Sequence, residues 1–164
     1  MTGFHPGFAG HPVAGRNAVP GWSSGFSLLE MMVALAVAGI LFFVALPGYQ
    51  NAVIKSGRAA ARAGLLEVAA RQEQFFVNRK QYAVGLESLG LGEPYYIDSQ
   101  GEAVARAAAV YRLTLVIADG SYLGAMASPV NRQREDTACA TFSLSRTGIK
   151  AVTGDLSASP ADCW

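Results

Sequence analysis

Hydrophobic and polar positions alternate with three different rhythms along this chain. From Phe26 to Leu46 the only charged residue is Glu30. A helix of that length rises roughly 30 Å, about the hydrocarbon thickness of a bilayer, so the run predicts a transmembrane helix over residues 26–47. Beyond Pro47 the apolar residues recur at helical spacing. Ala52, Ala59, Ala63, Leu66, Ala70 and Val77 make one stripe, and Leu65, Ala69 and Phe76 a second. The helix is therefore expected to continue, with its first stripe packed on its own domain and its second at a core edge or against another chain. Pro47 lacks an N–H and clashes with the preceding turn, and Gly39 has low helix propensity, so these two positions are the expected helix breaks.

The rhythm then changes twice. Residues 81–109 carry Gly85, Gly90, Gly92, Pro94 and Gly101 and read as a connection, with a short helical turn expected within residues 102–109. Tyr111 to Ile117 is rich in β-formers, Asp119-Gly120 is a hairpin turn signal, and Tyr122 to Ala127 returns as a second strand that Pro129 ends. Phe142 and Leu144 alternate in a third strand, and Thr147-Gly148 precedes Ile149 to Val152. The expected fold is α+β: a long N-terminal helix on a small antiparallel sheet of three or four strands. Residues 1–25 show no helical period and read as a leader, which leaves 48–164 as one small globular domain.

Composition narrows the chemistry. The net charge is +1, Arg16 is the only Lys or Arg before Gly25, and all acids follow it, so the side chains after Gly25 sum to neutral. That gives no global electrostatic case for nucleic acid as the main partner. Arg132-Gln133-Arg134 can touch phosphates but sits beside Glu135-Asp136, so DNA ranks as a possible and unlikely partner. His5 and His11 fall in the leader, no nucleophile and base stand at a telling spacing, and no Gly-rich loop ends in Gly-Lys-Ser/Thr. The expectation is no enzyme, no cofactor and no metal site. Two cysteines, Cys139 and Cys163, follow the membrane run; free thiols and a disulfide both fit, the latter being commoner for an even pair outside the cytoplasm.

Glu30 has two readings. At the start of the run its charge suits the helix dipole. Inside the membrane an unpaired carboxylate is costly and calls for a partner. Its neighbours decide the question: Gly25-Phe26-Ser27-Leu28-Leu29-Glu30 ahead of an apolar helix resembles the processing site of type IV prepilins. The resemblance implies cleavage between Gly25 and Phe26, N-methylation of Phe26, and an assembly role for Glu30 as fifth residue of the mature chain. Pro47 stands where that family usually has a proline, and pilins of this kind can lose helix between positions such as Gly39 and Pro47 once packed in a filament. Ala127-Ser128-Pro129, Gln133, Asp136, Cys139, Phe142, Leu144, Gly148 and Cys163-Trp164 are similar to minor pilins of the PilE type, in which the cysteine-bounded segment is a disulfide-closed loop.

The leader departs from the family in being long and poor in Lys and Arg near the cut; initiation at Val19 would leave seven residues before Phe26. Lys55, Arg58 and Arg62 after the run would also place the C-terminal side in the cytoplasm by positive-inside counting. The more specific cleavage motif outweighs that statistical rule. The resemblance thus implies a structural subunit, a minor or major pilin, serving pilus biogenesis, adhesion, motility or DNA uptake. Its expected partners are other pilin subunits, the inner membrane and assembly platform, and the prepilin peptidase and methylase. Its expected location is the inner membrane, single-pass with the N-terminus cytoplasmic and the C-terminal domain periplasmic, and then the extracellular pilus. A type II secretion pseudopilin and a DNA-binding minor pilin are the alternatives.

Overall fold

The computed structural model describes residues 25–164; the leader before Gly25, with His5, His11 and Arg16, lies outside the described residues. Helix α1 spans Leu28–Arg79 and contributes to two compact units that divide between Ile40 and Leu41. In the first unit the large side chains of α1 are exposed, among them Leu28, Met32, Leu35 and Ile40. This helix is long and apolar enough to cross a membrane. It is helical through both Gly39 and Pro47. The loss of helix between them belongs to a packed filament and remains an expectation about that state.

In the second unit α1 packs on a five-stranded antiparallel sheet of order β1-β2-β3-β4-β5. The strands are β1 Tyr95–Ile97, β2 Tyr111–Ala118, β3 Ser121–Pro129, β4 Phe142–Ser145 and β5 Lys150–Val152. The expected count of three or four is one or two short of this. The unforeseen strand is β1, whose three residues are too few to show alternation among the surrounding Gly and Pro. The Asp119-Gly120 signal holds: Ala118 pairs with Ser121, and both loop residues have positive φ, at 50° and 69°. Glycine takes that conformation without the Cβ penalty, and the resulting twist matches a tight hairpin. The expected turn within 102–109 is a 3₁₀ turn at Arg106–Ala108. Pro129 ends β3 from inside the strand.

The packing face of α1 is the reverse of the one expected. Ala52, Ala59, Ala63, Leu66, Ala70 and Val77 are all exposed. The buried side is Gly57, Ala60, Ala61, Gly64, Leu65, Val68 and Gln72. The reason lies in residue size. A Cβ on Gly64 would sit 3.0 Å from Leu113 and 3.2 Å from Ile97, so the sheet fills the space a side chain would take. Gln72 is fully buried, yet its amide accepts from the Ala83 N–H at 2.9 Å and donates to the Ala83 carbonyl at 2.8 Å. A buried polar group so paired avoids the desolvation penalty, but gives no apolar signal in the sequence. Leu65 and Val68 meet Tyr111, Leu113, Phe142 and Leu144 in one hydrophobic cluster.

Candidate functional site

Three groups of residues carry the candidate chemistry, and the fold treats each differently. At the N-terminal end Gly25, Phe26 and Ser27 precede the helix and are exposed. Met31 N–H donates to the Ser27 carbonyl at 3.1 Å, so the helix begins at Leu28 and Glu30 falls in its first turn. The favourable dipole of that turn acts on Glu30 within its own chain.

The second group is the cysteine-bounded segment. Cys139 and Cys163 are joined in a disulfide, both buried, so the structure supplies the pairing. The segment is tied to α1 beside its first cysteine. Arg58 donates from Nε and Nη2 to the two Asp136 carboxylate oxygens at 2.8 and 2.7 Å, a forked pair with Asp136 buried. The Cys139 N–H donates to the same carboxylate at 3.3 Å. Gln133 lies against Gly57, where a side chain would collide with its amide. Its Nε2 donates to the Ile54 carbonyl and to the Tyr111 hydroxyl, each at 3.3 Å. The hydrogen bond to Asp136 raises the pKa of Arg58. Burial pushes the Tyr111 phenol well above its ordinary 10.0, against the opposing hydrogen bond from Gln133. At the far end Arg62 reaches the Cys163 carbonyl, and the Trp164 indole N–H donates to the Ala151 carbonyl at 3.2 Å. Gln133 and Asp136 were legible as pattern residues; their partners on α1 and β2, 22 to 79 positions away, were not.

The third group is basic. The turn at Arg106–Ala108 precedes β2, and the 3₁₀ turn at Asn131–Glu135 follows β3. Asn131 joins them, its amide donating to the Arg106 carbonyl at 2.6 Å and to the Ala109 carbonyl at 3.0 Å. The Val130 N–H closes on the Val110 carbonyl at 2.9 Å. Arg106, Arg112, Arg132 and Arg134 are thus exposed at one end of the β2–β3 pair. Arg132 has a loose neighbour in Glu135 at 3.8 Å, with both side chains well exposed. Such a pair contributes little and leaves the guanidinium available. Arg132 and Arg134 are legible in the sequence; Arg106 and Arg112 are not, because the Asn131 junction and the β2–β3 pairing bring them to the same end of the strand pair. The near-neutral net charge concealed this clustering. Among the described residues no three of His, Cys, Asp and Glu converge as a metal-ligand set.

Two family comparisons bear on these groups. Residues 23–46 match the prokaryotic N-terminal methylation motif, the stretch that holds Gly25, Phe26 and Glu30. Residues 47–143, more than half of the chain, match the family described as type IV minor pilin ComP, DNA uptake sequence receptor. That match favours a pilus subunit over a secretion pseudopilin, and a minor over a major one. It also raises DNA above the low rank the charge count gave it. With the methylation motif ahead of a long helix on a small antiparallel sheet, the chain belongs to the ComP family of type IV minor pilins.

Proposed function

We propose that this minor pilin contacts DNA through Arg106, Arg112, Arg132 and Arg134. The subunit is processed as a prepilin, is held in the inner membrane and is then assembled into the extracellular pilus. It works as a structural subunit and not as an enzyme. The observation that carries the DNA reading is the hydrogen-bonded junction at Asn131, which sets two arginine-bearing turns side by side. Arginine forks suit phosphate oxygens, and the exposed acids nearest in the chain are Glu102, Asp119 and Glu135, with Asp119 in the turn at the opposite end of the β2–β3 pair. The family's description as a DNA uptake sequence receptor supports the same reading.

Assembly supplies the scaffold for that contact. Cleavage between Gly25 and Phe26 frees an amine on Phe26, the partner that Glu30 of a neighbouring subunit needs once water is excluded. The exposed stripe of Ala59, Ala63, Leu66, Ala70 and Val77 offers close approach to neighbouring helices in the filament.

The test is a salt titration of duplex DNA binding by the full-length chain in detergent. Binding should fall steeply with salt, and replacing all four arginines by glutamine should flatten the slope by about one unit for each phosphate that is no longer neutralised. Binding that is indifferent to salt, or a slope unchanged in the variant, overturns the DNA reading while leaving the pilin assignment intact.

A further inference from the structure

A pocket of about 290 Å³ opens beyond the end of α1, between the β2–β3 turn and the β4–β5 turn. Gln81, Tyr82, Val84, Ser121, Tyr122 and Arg146 line it. Tyr122 is only 4 % exposed, and no described residue hydrogen-bonds to its hydroxyl. Among the described residues no enclosed side-chain polar atom is left without a partner, so that hydroxyl belongs to the small accessible part of Tyr122 and faces the open pocket. Tyr82 is held rigid, stacked on Phe76 at 4.7 Å with its hydroxyl donating to Glu73 at 3.1 Å. The Arg146 guanidinium lies 5.7 Å from the Tyr82 ring centroid and takes part in none of the ion pairs among the described residues.

The lining therefore offers one cation, the Ser121 and Tyr122 hydroxyls, which both donate and accept, one amide, an aromatic wall, and Val84, which is 59 % exposed. A single cation matches a single carboxylate. Hydroxyls and an amide match ring hydroxyls, and Val84 with the Tyr82 edge matches the C–H face of a ring. A phosphodiester chain fits less well, because the Glu73 carboxylate stands beside Tyr82 and Asp119 adjoins the turn, each repelling a run of anions. We propose that this pocket binds a uronate, a carboxylate-bearing sugar, with Arg146 on the carboxylate and Tyr122 on a ring hydroxyl. The site is separate from the arginines assigned to DNA and does not depend on them.

The experiment is calorimetric titration of the full-length chain in detergent with a galactose oligomer carrying one galacturonate unit, with free galacturonate, and with a neutral galactose oligomer of equal length. The acidic oligomer should bind and the neutral one should not. Arg146→Gln should weaken binding about tenfold, the loss of one charge-assisted hydrogen bond. Tyr122→Phe keeps the ring and removes only the hydroxyl, and should weaken it several-fold, roughly one neutral hydrogen bond. Free galacturonate bound with the same sensitivity would identify the sugar unit itself as the ligand, and binding of the oligomer alone would identify a glycan chain. Either result supports the site. No binding, equal binding of the neutral oligomer, or binding unchanged in both variants overturns it. Displacement of the sugar by single-stranded DNA whose own binding is lost in the same two variants would give the pocket to phosphate and overturn it as well.

Discussion

Between Leu28 and Ile40 the large side chains of α1 stand exposed, from 50 % at Val37 to 78 % at Leu28, whereas between Gly57 and Gln72 the same helix has a side that is almost wholly buried. The first stretch is apolar all round and finds no cover in its own chain. Lipid, and later the apolar helices of a filament, provide its surroundings. The second stretch is covered by the sheet, and its buried side sets Gly57, Ala60, Ala61, Gly64 and Gln72 around two large apolar residues, Leu65 and Val68. Unbroken hydrophobicity therefore marks where α1 meets something outside the chain. Gly57 and Gly64 mark where it is approached closely by the chain's own globular unit. The stripe with Leu66 and Val77 is left exposed, open to the subunit contact proposed for it.

The strongest way to break this contrast is at Glu30, the one charge in the outward-facing stretch. Glu30→Ala should insert and be cleaved normally, but its incorporation into sheared pili should fall tenfold or more, roughly the effect of leaving one member of a buried ion pair alone. Glu30→Asp, one methylene shorter, should be partly defective. Wild-type incorporation of Glu30→Ala would leave Glu30 as no more than a favourable charge at a helix start, worth at most about 1 kcal/mol.

In the covered unit the largest single effect should come from the disulfide. Cys139 and Cys163 are separated by 24 positions, and closing a loop of that size is worth about 3.5 kcal/mol in the chain-entropy account. The Cys139→Ser, Cys163→Ser double variant should lower the unfolding free energy by about that amount in urea titration of the globular unit's near-ultraviolet signal. A loss under about 1 kcal/mol would mean that the Arg58–Asp136 fork and the Trp164 contacts hold the segment without it.

Neighbouring leucines sharpen the comparison. Leu65 is fully buried and Leu66 is 53 % exposed. Leu65→Ala should cost about 2–5 kcal/mol of stability through the cavity it leaves. Leu66→Ala should stay within about 0.5 kcal/mol. The readouts should exchange in the filament assay, where Leu66→Ala lowers subunit incorporation while the isolated fold is unaffected. Equal stability losses at both positions would contradict the reversed packing face.

These leucines also show what the sequence could and could not convey. The transmembrane run, the long helix, the Asp119-Gly120 hairpin and the α+β class were legible, because each rests on local pattern or turn chemistry. The buried face of α1 was not, since Gly57, Gly64 and Gln72 look like interruptions until Gln133, Leu113, Ile97 and Ala83 are seen to complete them. β1 was hidden by its length. The arginines at the end of the β2–β3 pair were half legible: Arg132 and Arg134 adjoin in sequence, but Arg106 joins them only through the Asn131 amide.

The smallest expected effect concerns Tyr111, the buried phenol at the centre of the covered unit. In the unfolded chain it ionises near its ordinary 10.0, and burial in the folded state raises that value. The folded state therefore keeps a proton that the unfolded state gives up above about pH 10. Its contribution is complete below that pH, and stability must fall as pH rises beyond it, by at most about 1.4 kcal/mol per pH unit for one group. Tyr82, Tyr95 and Tyr122 are raised as well, also by burial first, and act in the same direction. Arg58 is raised above its ordinary value, so its loss of charge lies at still higher pH and does not enter this window. Tyr111→Phe removes one of the four phenols and leaves Gln133 its bond to the Ile54 carbonyl, so the cost at neutral pH should be about 1 kcal/mol. Urea midpoints between about pH 9 and about pH 11 should decline less steeply in the variant, by close to one proton's worth of slope. Parallel declines in the two proteins would mean that the Tyr111 phenol is not held neutral by the fold, and the polar junction of Gln133, Tyr111 and Asp136 would then have to be open to water.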